Sequence, residues 1–270
     1  MRARLLLPVV LLGSAAPSVG WRDPVVGDVV RLSHDTVLDL PLVATLPGGR
    51  TREAGLRRRH RQDVRYEVLA VGKTGPERLA LTWGEDLVET SGPDGARIDR
   101  LPVAGRTYRV DLPTAQVPGV EGPEADIAVS ASDLFALLRA FRDMVGPDPR
   151  EGQVLPAPQI LAGLIREAPG DPVVTGTLTV GPEDVLGGVP CRTVDLEVGL
   201  TSTGALEDGV VVEAKASLSG RFWLDARTGW TRRLEVWGPI TLEGSGMRGG
   251  TAFTLRGEGG YRAVTTVDPG

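Results

Sequence analysis

The sequence predicts a mainly β protein with a short helical insert (α+β): an antiparallel meander curled into a barrel or half-barrel and packed on one or two helices. Three observations carry this. The chain reads as strand after strand of alternating or β-branched residues, its connections are short and glycine-rich, and only residues 130–170 take up helical spacing. Short connections favour antiparallel pairing, because a parallel crossover needs about a dozen residues or more. A long meander curls rather than lying flat.

Residues 1–20 read as an export signal. Arg2 and Arg4 give a positive start, Leu5 to Leu12 form an apolar run broken only by Pro8, and Gly13, Ser14, Ala15 and Ala16 are small. Cleavage after Ala16 and after Gly20 are both acceptable. The run is far short of the ~20 residues of a spanning helix. No later run is long enough, so no membrane span is expected after cleavage. No cysteine follows the cut region, which speaks against a lipid-modified N-terminus. The adjacent arginine pair of a twin-arginine signal is missing too. These features place the working protein in the periplasm or outside the cell.

Residues 21–270 form the exported region, possibly as two β halves, 21–129 and 171–270, joined by a helical segment at 130–170. In the first half, Val25–His34, Val64–Val71, Arg78–Trp83 and Arg106–Leu112 read as strands. Pro47-Gly48-Gly49, Gly72-Lys73-Thr74-Gly75 and Gly92-Pro93-Asp94-Gly95 are turn signals between them. Alternation across Gln62 to Val68 puts Val64, Tyr66 and Val68 on one face.

Near residue 130 the period changes. Ser132-Asp133 suits a cap for a helix over Leu134–Val145, whose Leu134, Leu137, Leu138, Phe141 and Val145 recur at spacings of three and four. Gly146-Pro147 stops it. A second helix is expected over Pro158–Glu167, with Ile160, Leu161, Leu164 and Ile165 as its stripe.

From Val173 the strands are Val173–Val180, Arg192–Leu200, Val210–Leu218, Arg221–Asp225, Trp230–Trp237, Ile240–Glu243, Thr251–Arg256 and Tyr261–Val267. Alternation sets Trp230 and Val236 on one face, with Thr231 and Trp237 on the other. Core packing is the default for these aromatics, and a partly open apolar cavity is the alternative.

Composition narrows the chemistry. A formal charge of −5 argues for solubility and against a nucleic-acid surface. Cys191 is the single cysteine, which excludes an internal disulfide and suits a small buried apolar residue. The two histidines, His34 and His60, sit in no metal-ligand spacing, and one cysteine cannot complete a structural zinc site. No Gly-x-Ser-x-Gly or Ser-x-x-Lys motif occurs, so no catalytic residue is assigned and a hydrolase is the least favoured class. Gly244-Ser245-Gly246-Met247-Arg248-Gly249 matches Gly-x-Gly-x-x-Gly. Thr251 to Leu255 beyond it reads as strand rather than helix, so the match is a hairpin loop and no nucleotide cofactor is expected. Carboxylate pairs such as Glu85/Asp86 and Glu183/Asp184 read as solvated loop charges.

The densest charge feature is Arg50 to Arg61, with Arg50, Arg52, Arg57, Arg58, Arg59 and Arg61 beside His60. These guanidinium groups suit an anionic headgroup surface and are the first choice of binding surface, although a solvated hairpin loop leading into the Val64 strand is the favoured structural reading. No aromatic residue interleaves, so base stacking is not suggested.

The stretch Gly220-Arg221-Phe222-Trp223-Leu224-Asp225-Ala226-Arg227-Thr228-Gly229-Trp230 resembles the strand, Asp-x-x-Thr-Gly turn and strand of exported bacterial β-rich envelope proteins, including the LolA-like lipoprotein carriers. In such a turn Asp225 caps the loop and Gly229 takes a positive φ. The resemblance covers the last hundred residues. It implies a half-barrel closed by helices around an apolar cavity, and it transfers no binding residue. The function expected is binding rather than catalysis. The partner is a lipid or other amphiphile or an envelope protein, with a structural or assembly role as the alternative.

Overall fold

In the computed structural model the described residues are 23–269, apart from 74, 93–94, 113, 115, 147, 165–169, 206–209 and 249. The export signal expected at 1–20, and Ile165 to Glu167 of the second expected helix, lie outside them.

The β1 strand (Val29–Thr45) lies between two partners: β2 (Thr51–Gly72) and β11 (Thr251–Pro269), near the far end of the chain. That second pairing joins the early strands to the late ones in a single antiparallel sheet. The remaining strands are β3 (Gly75–Gly92), β4 (Gly95–Arg100), β5 (Thr107–Asp111), β6 (Val154–Pro156), β7 (Val173–Leu186), β8 (Val189–Ala205), β9 (Val211–Asp225) and β10 (Thr231–Arg248). The order is β4-β3-β2-β1-β11-β10-β9-β8-β7-β6, with β5 pairing β3 beyond the end of β4. β4 and β6 do not pair, so the sheet is open and not closed into a barrel.

Several segments expected as separate strands are continuous. Val210–Leu218 and Arg221–Asp225 fuse across Gly220 in β9, Trp230–Trp237 and Ile240–Glu243 across Gly238-Pro239 in β10, and Thr251–Arg256 and Tyr261–Val267 across Gly257 to Gly260 in β11. These glycines lie within continuous strands, at points where (Gly260 apart) a neighbouring backbone comes close, and are not turns. A Cβ on Gly238 or Gly259 would press into the carbonyl oxygen of Ser217 or Asp39, inside the 3.0 Å that real Cβ atoms keep. The β9–β10 ladder skips Gly238-Pro239, and the β1–β11 ladder skips Leu40-Pro41. Proline has no N–H to give, and only a bare Cα tolerates backbone this close. Gly244-Ser245-Gly246 likewise belongs to β10 and not to a loop; the turn lies beyond Arg248.

The helix is longer than expected. α1 runs Pro123–Val145, so Ser132 and Asp133 lie inside it and cap nothing; the Ser132 hydroxyl donates to the Val129 carbonyl at 2.7 Å. Its start is Gly122-Pro123, with Glu124 and Asp126 in the first turn, where carboxylates suit the helix dipole. Ala125, Ala128 and Ala131 extend the apolar spacing backwards, but their smallness hid it. The second helix is a short 3-10 helix at Gln159–Leu164, with Leu161 fully buried.

α1 lies across the strands. Glu124 accepts from Tyr108 of β5 at 2.6 Å, Ala131 accepts from Tyr66 of β2 at 3.0 Å, Leu138 accepts from Thr231 of β10 at 3.1 Å, and Phe141 meets Phe222 of β9 with ring centres 3.7 Å apart. From Glu124 to Phe141 the helix rises about 26 Å at ~1.5 Å per residue. The six strand spacings from β5 to β9 come to about 29 Å at ~4.8 Å each. The helix therefore spans the sheet from β5 to β9 on one face. A bulge between Thr231 and Arg233 turns Thr231 inward to reach it, against simple alternation, whereas Trp237 faces out at 47% exposure.

The Asp225 turn forms as the spacing implies. Asp225 Oδ1 accepts from the amides of Arg227 and Thr228 at 2.9 and 3.0 Å, and Gly229 has φ 71. Cys191 is fully buried, and burial pushes its thiol pKa up.

Candidate functional site

Register decides which side chains face inward. Val30 and Leu32 of β1 stand opposite Tyr66 and Val64 of β2, so the even positions of both strands face the core. Following that phase away from α1 brings in Gln62, His60, Arg58 and Leu56 from β2, and His34, Thr36, Leu38, Leu40 and Leu42 from β1. Thr265 of β11 and Asp86 of β3 complete the row through His34 and Gln62.

Thr265, His34, Gln62 and Asp86 thus form one lateral belt across β11, β1, β2 and β3, at 0%, 8%, 2% and 0% exposure. His34 Nδ1 meets the Thr265 hydroxyl at 2.7 Å. Asp86 receives His60 Nε2 on one oxygen at 2.6 Å and the Gln62 amide on the other at 3.2 Å. Gln62 Oε1 is buried with no partner among the described residues, as is the indole N–H of Trp83. Both histidines of the chain belong to this belt or touch it. The reading of Asp86 as a loop charge is corrected: β3 extends to Gly92, and Asp86 faces inward where the His60 ring meets it.

The belt marks a boundary. On one side lies the aromatic core under α1, with Tyr66 stacked on Phe135 and Trp83 edge-on to Tyr108. On the other side the inner face continues toward the hairpin tips as a leucine strip, with Leu38, Leu42, Leu56, Leu242 and Leu255 half-buried and Arg58 lying between Leu56 and His60. α1 makes its hydrogen bonds and ring contacts at the other end of the strands.

The arginines expected to bind do not form one surface. Arg50 is exposed in the β1–β2 turn, and the other five lie in β2 rather than in a solvated loop. Alternation sends Arg57, Arg59 and Arg61 to the outer face, and places Arg52 and Arg58 in phase with His60 and Gln62. Arg59 makes a two-pronged pair with Asp35 at 2.9 and 2.6 Å, and Arg61 pairs with Glu89. The hydrogen bond from Arg59 holds the Asp35 carboxyl below the usual carboxylate range despite partial burial. Repeated arginines opposite acidic partners make a stable strand face where an unpaired run would repel itself. The outer face also carries a shallow groove of about 120 Å³ lined by Glu213, Lys215, Glu243, Arg256 and Glu258.

Extending the Val64-Tyr66-Val68 phase back by two and four residues would have turned Gln62 and His60 inward. Asp86 carried no such signal, because a register shift between Gln62 and Val64 intervenes in the β2–β3 pairing.

No protein-family model and no curated protein matches the chain. Among solved structures it is similar to lipovitellin, in a structure described as "lipid-protein interactions in lipovitellin", with TM-score 0.42 and 10% identity over 90% of this chain and 25% of that one. The chain therefore spans a quarter of the length of that protein.

Proposed function

We propose that the protein is a non-enzymatic, exported binding protein that takes an amphiphile on the inner face of its open sheet. The observation that carries this is the leucine strip beyond the belt. Leu38, Leu42, Leu56, Leu242 and Leu255 are half-buried on the inner face beyond the α1 contacts described above, and a buried polar belt bounds them. Apolar contact with a few placed polar groups is the composition of a small-molecule site. The export signal and the turn resemblance point to the same role, with the periplasm or the exterior as its place.

A hydrophobic dye should bind the purified protein and be displaced by an amphiphile. Leu242→Glu places a carboxylate in the strip and should weaken dye binding about tenfold or more, because a charge cannot enter an apolar contact without being paired. Dye binding unaffected by Leu242→Glu would sink the reading. A stable protein complex carrying no lipid would favour the assembly role instead.

A further inference from the structure

We propose that the belt is a subsite for a hydroxyl-bearing group of the ligand, which makes the ligand a polyol-headed amphiphile. The proposal rests on the amphiphile-binding reading and names its headgroup.

It follows from an accounting of donors and acceptors. Asp86, fully buried, has both oxygens engaged, one by His60 Nε2 at 2.6 Å and one by Gln62 Nε2 at 3.2 Å. The second bond fixes the Gln62 amide, since turning it over would set Oε1 against the carboxylate. Oε1 is therefore left as a buried acceptor with no partner among the described residues. On the same inner face, three residues before Asp86, the Trp83 indole N–H is a buried donor without a partner. Buried polar groups in folded proteins are almost always satisfied, so an open acceptor and an open donor at one boundary point to what meets them.

The chemistry selects among headgroups. An anion could pair with Arg58 on this face, but it has no proton to give Gln62 Oε1 and would face the Asp86 carboxylate. An ammonium gives protons but accepts none from Trp83. An alkyl chain meets neither group. A hydroxyl both donates and accepts, and a glycerol or sugar head carries several. Access runs from the open half of the face: the His60 side chain is 17% exposed where the Asp86 side chain is at 0%, and Thr36 and Leu38 on β1 beside it are half-buried. The head then sits at the belt with its chain along the strip.

The test uses two probes of one chain length, monooleoylglycerol and methyl oleate, competing for a bound dye on the intact protein. Wild type should prefer monooleoylglycerol by about tenfold, the worth of one or two well-made hydrogen bonds. Gln62→Met, which keeps the shape but removes the acceptor together with the amide donor to Asp86, should bring the preference below about twofold. Equal affinities in wild type, or a preference that survives Gln62→Met, overturn the proposal and leave the belt as a structural, water-satisfied network. Should Gln62→Met fail to fold, the wild-type comparison decides alone. Failure of both probes to bind removes the amphiphile reading itself, whereas methyl oleate binding without a glycerol preference removes only this proposal.

Discussion

Gly259 and Gly260 are neighbours on β11, and substituting each by alanine separates two reasons for a glycine. A Cβ on Gly259 would lie against the Asp39 carbonyl oxygen, its carbon and the Cα of Leu40, all inside 3.0 Å. These are backbone atoms of the paired strand, so no side-chain rotation relieves them, and the β1–β11 pair must open. Forcing atoms into packed surroundings costs about 1–3 kcal/mol, and the upper end is expected where the obstacle is backbone. A Cβ on Gly260 meets nothing within 4 Å and its φ is not in the left-handed region. Gly260→Ala should therefore be neutral or stabilise by up to about 1 kcal/mol, through the narrower unfolded ensemble. Urea unfolding followed by far-ultraviolet circular dichroism gives both values on one scale. Equal effects, or a Gly259→Ala protein as stable as wild type, would refute the reasoning that a close neighbouring backbone requires the glycine.

Further consequences are as direct. Phe141→Ala removes a ring at 1% exposure that meets Phe222, and should cost about 3–5 kcal/mol, read as a large fall in melting temperature. Burial pushes the Asp225 carboxyl up, but Arg232 and the amides of Arg227 and Thr228 outweigh it and leave it below the ordinary value. Its stabilisation is thus fully present above about pH 4, the unfolded value, and is lost as pH falls through the folded pKa. Asp225→Ala should lose about 2 kcal/mol at neutral pH and show a shallower acid limb in a pH series of unfolding midpoints. Arg59→Ala breaks an ion pair whose side chains are 43% and 37% exposed, and should change stability by no more than about 1 kcal/mol at moderate salt.

Much of the fold was legible because its signals are local. The Gly72–Gly75 and Gly92–Gly95 hairpins and the Asp225 turn are set by residues that adopt their geometry alone, and each appears where the spacing placed it. Strand continuity was not legible. Gly238-Pro239 and Gly257 to Gly260 carry the same letters as turns, and only the approach of a neighbouring backbone tells a continuous strand from a reversal. The first turns of α1 were hidden because Ala128 and Ala131 are small where they pack. At the site, attention to charge density singled out Arg50, Arg52, Arg57, Arg58, Arg59 and Arg61, of which the sheet turns Arg57, Arg59 and Arg61 outward and sets Arg52 and Arg58 in phase with His60 and Gln62. The inward groups are His34, His60, Gln62 and Asp86, and they are brought together only by pairing between β1, β2 and β3.

The central claim is that the inner face beyond the belt holds an amphiphile. Native mass spectrometry of the protein purified from its own cells, without detergent, tests it most directly. The account predicts a population carrying one bound lipid-sized molecule with a hydroxylated head, released when the protein is denatured. A single species at the bare polypeptide mass, unchanged after incubation with a lipid extract of the same cells, would contradict it.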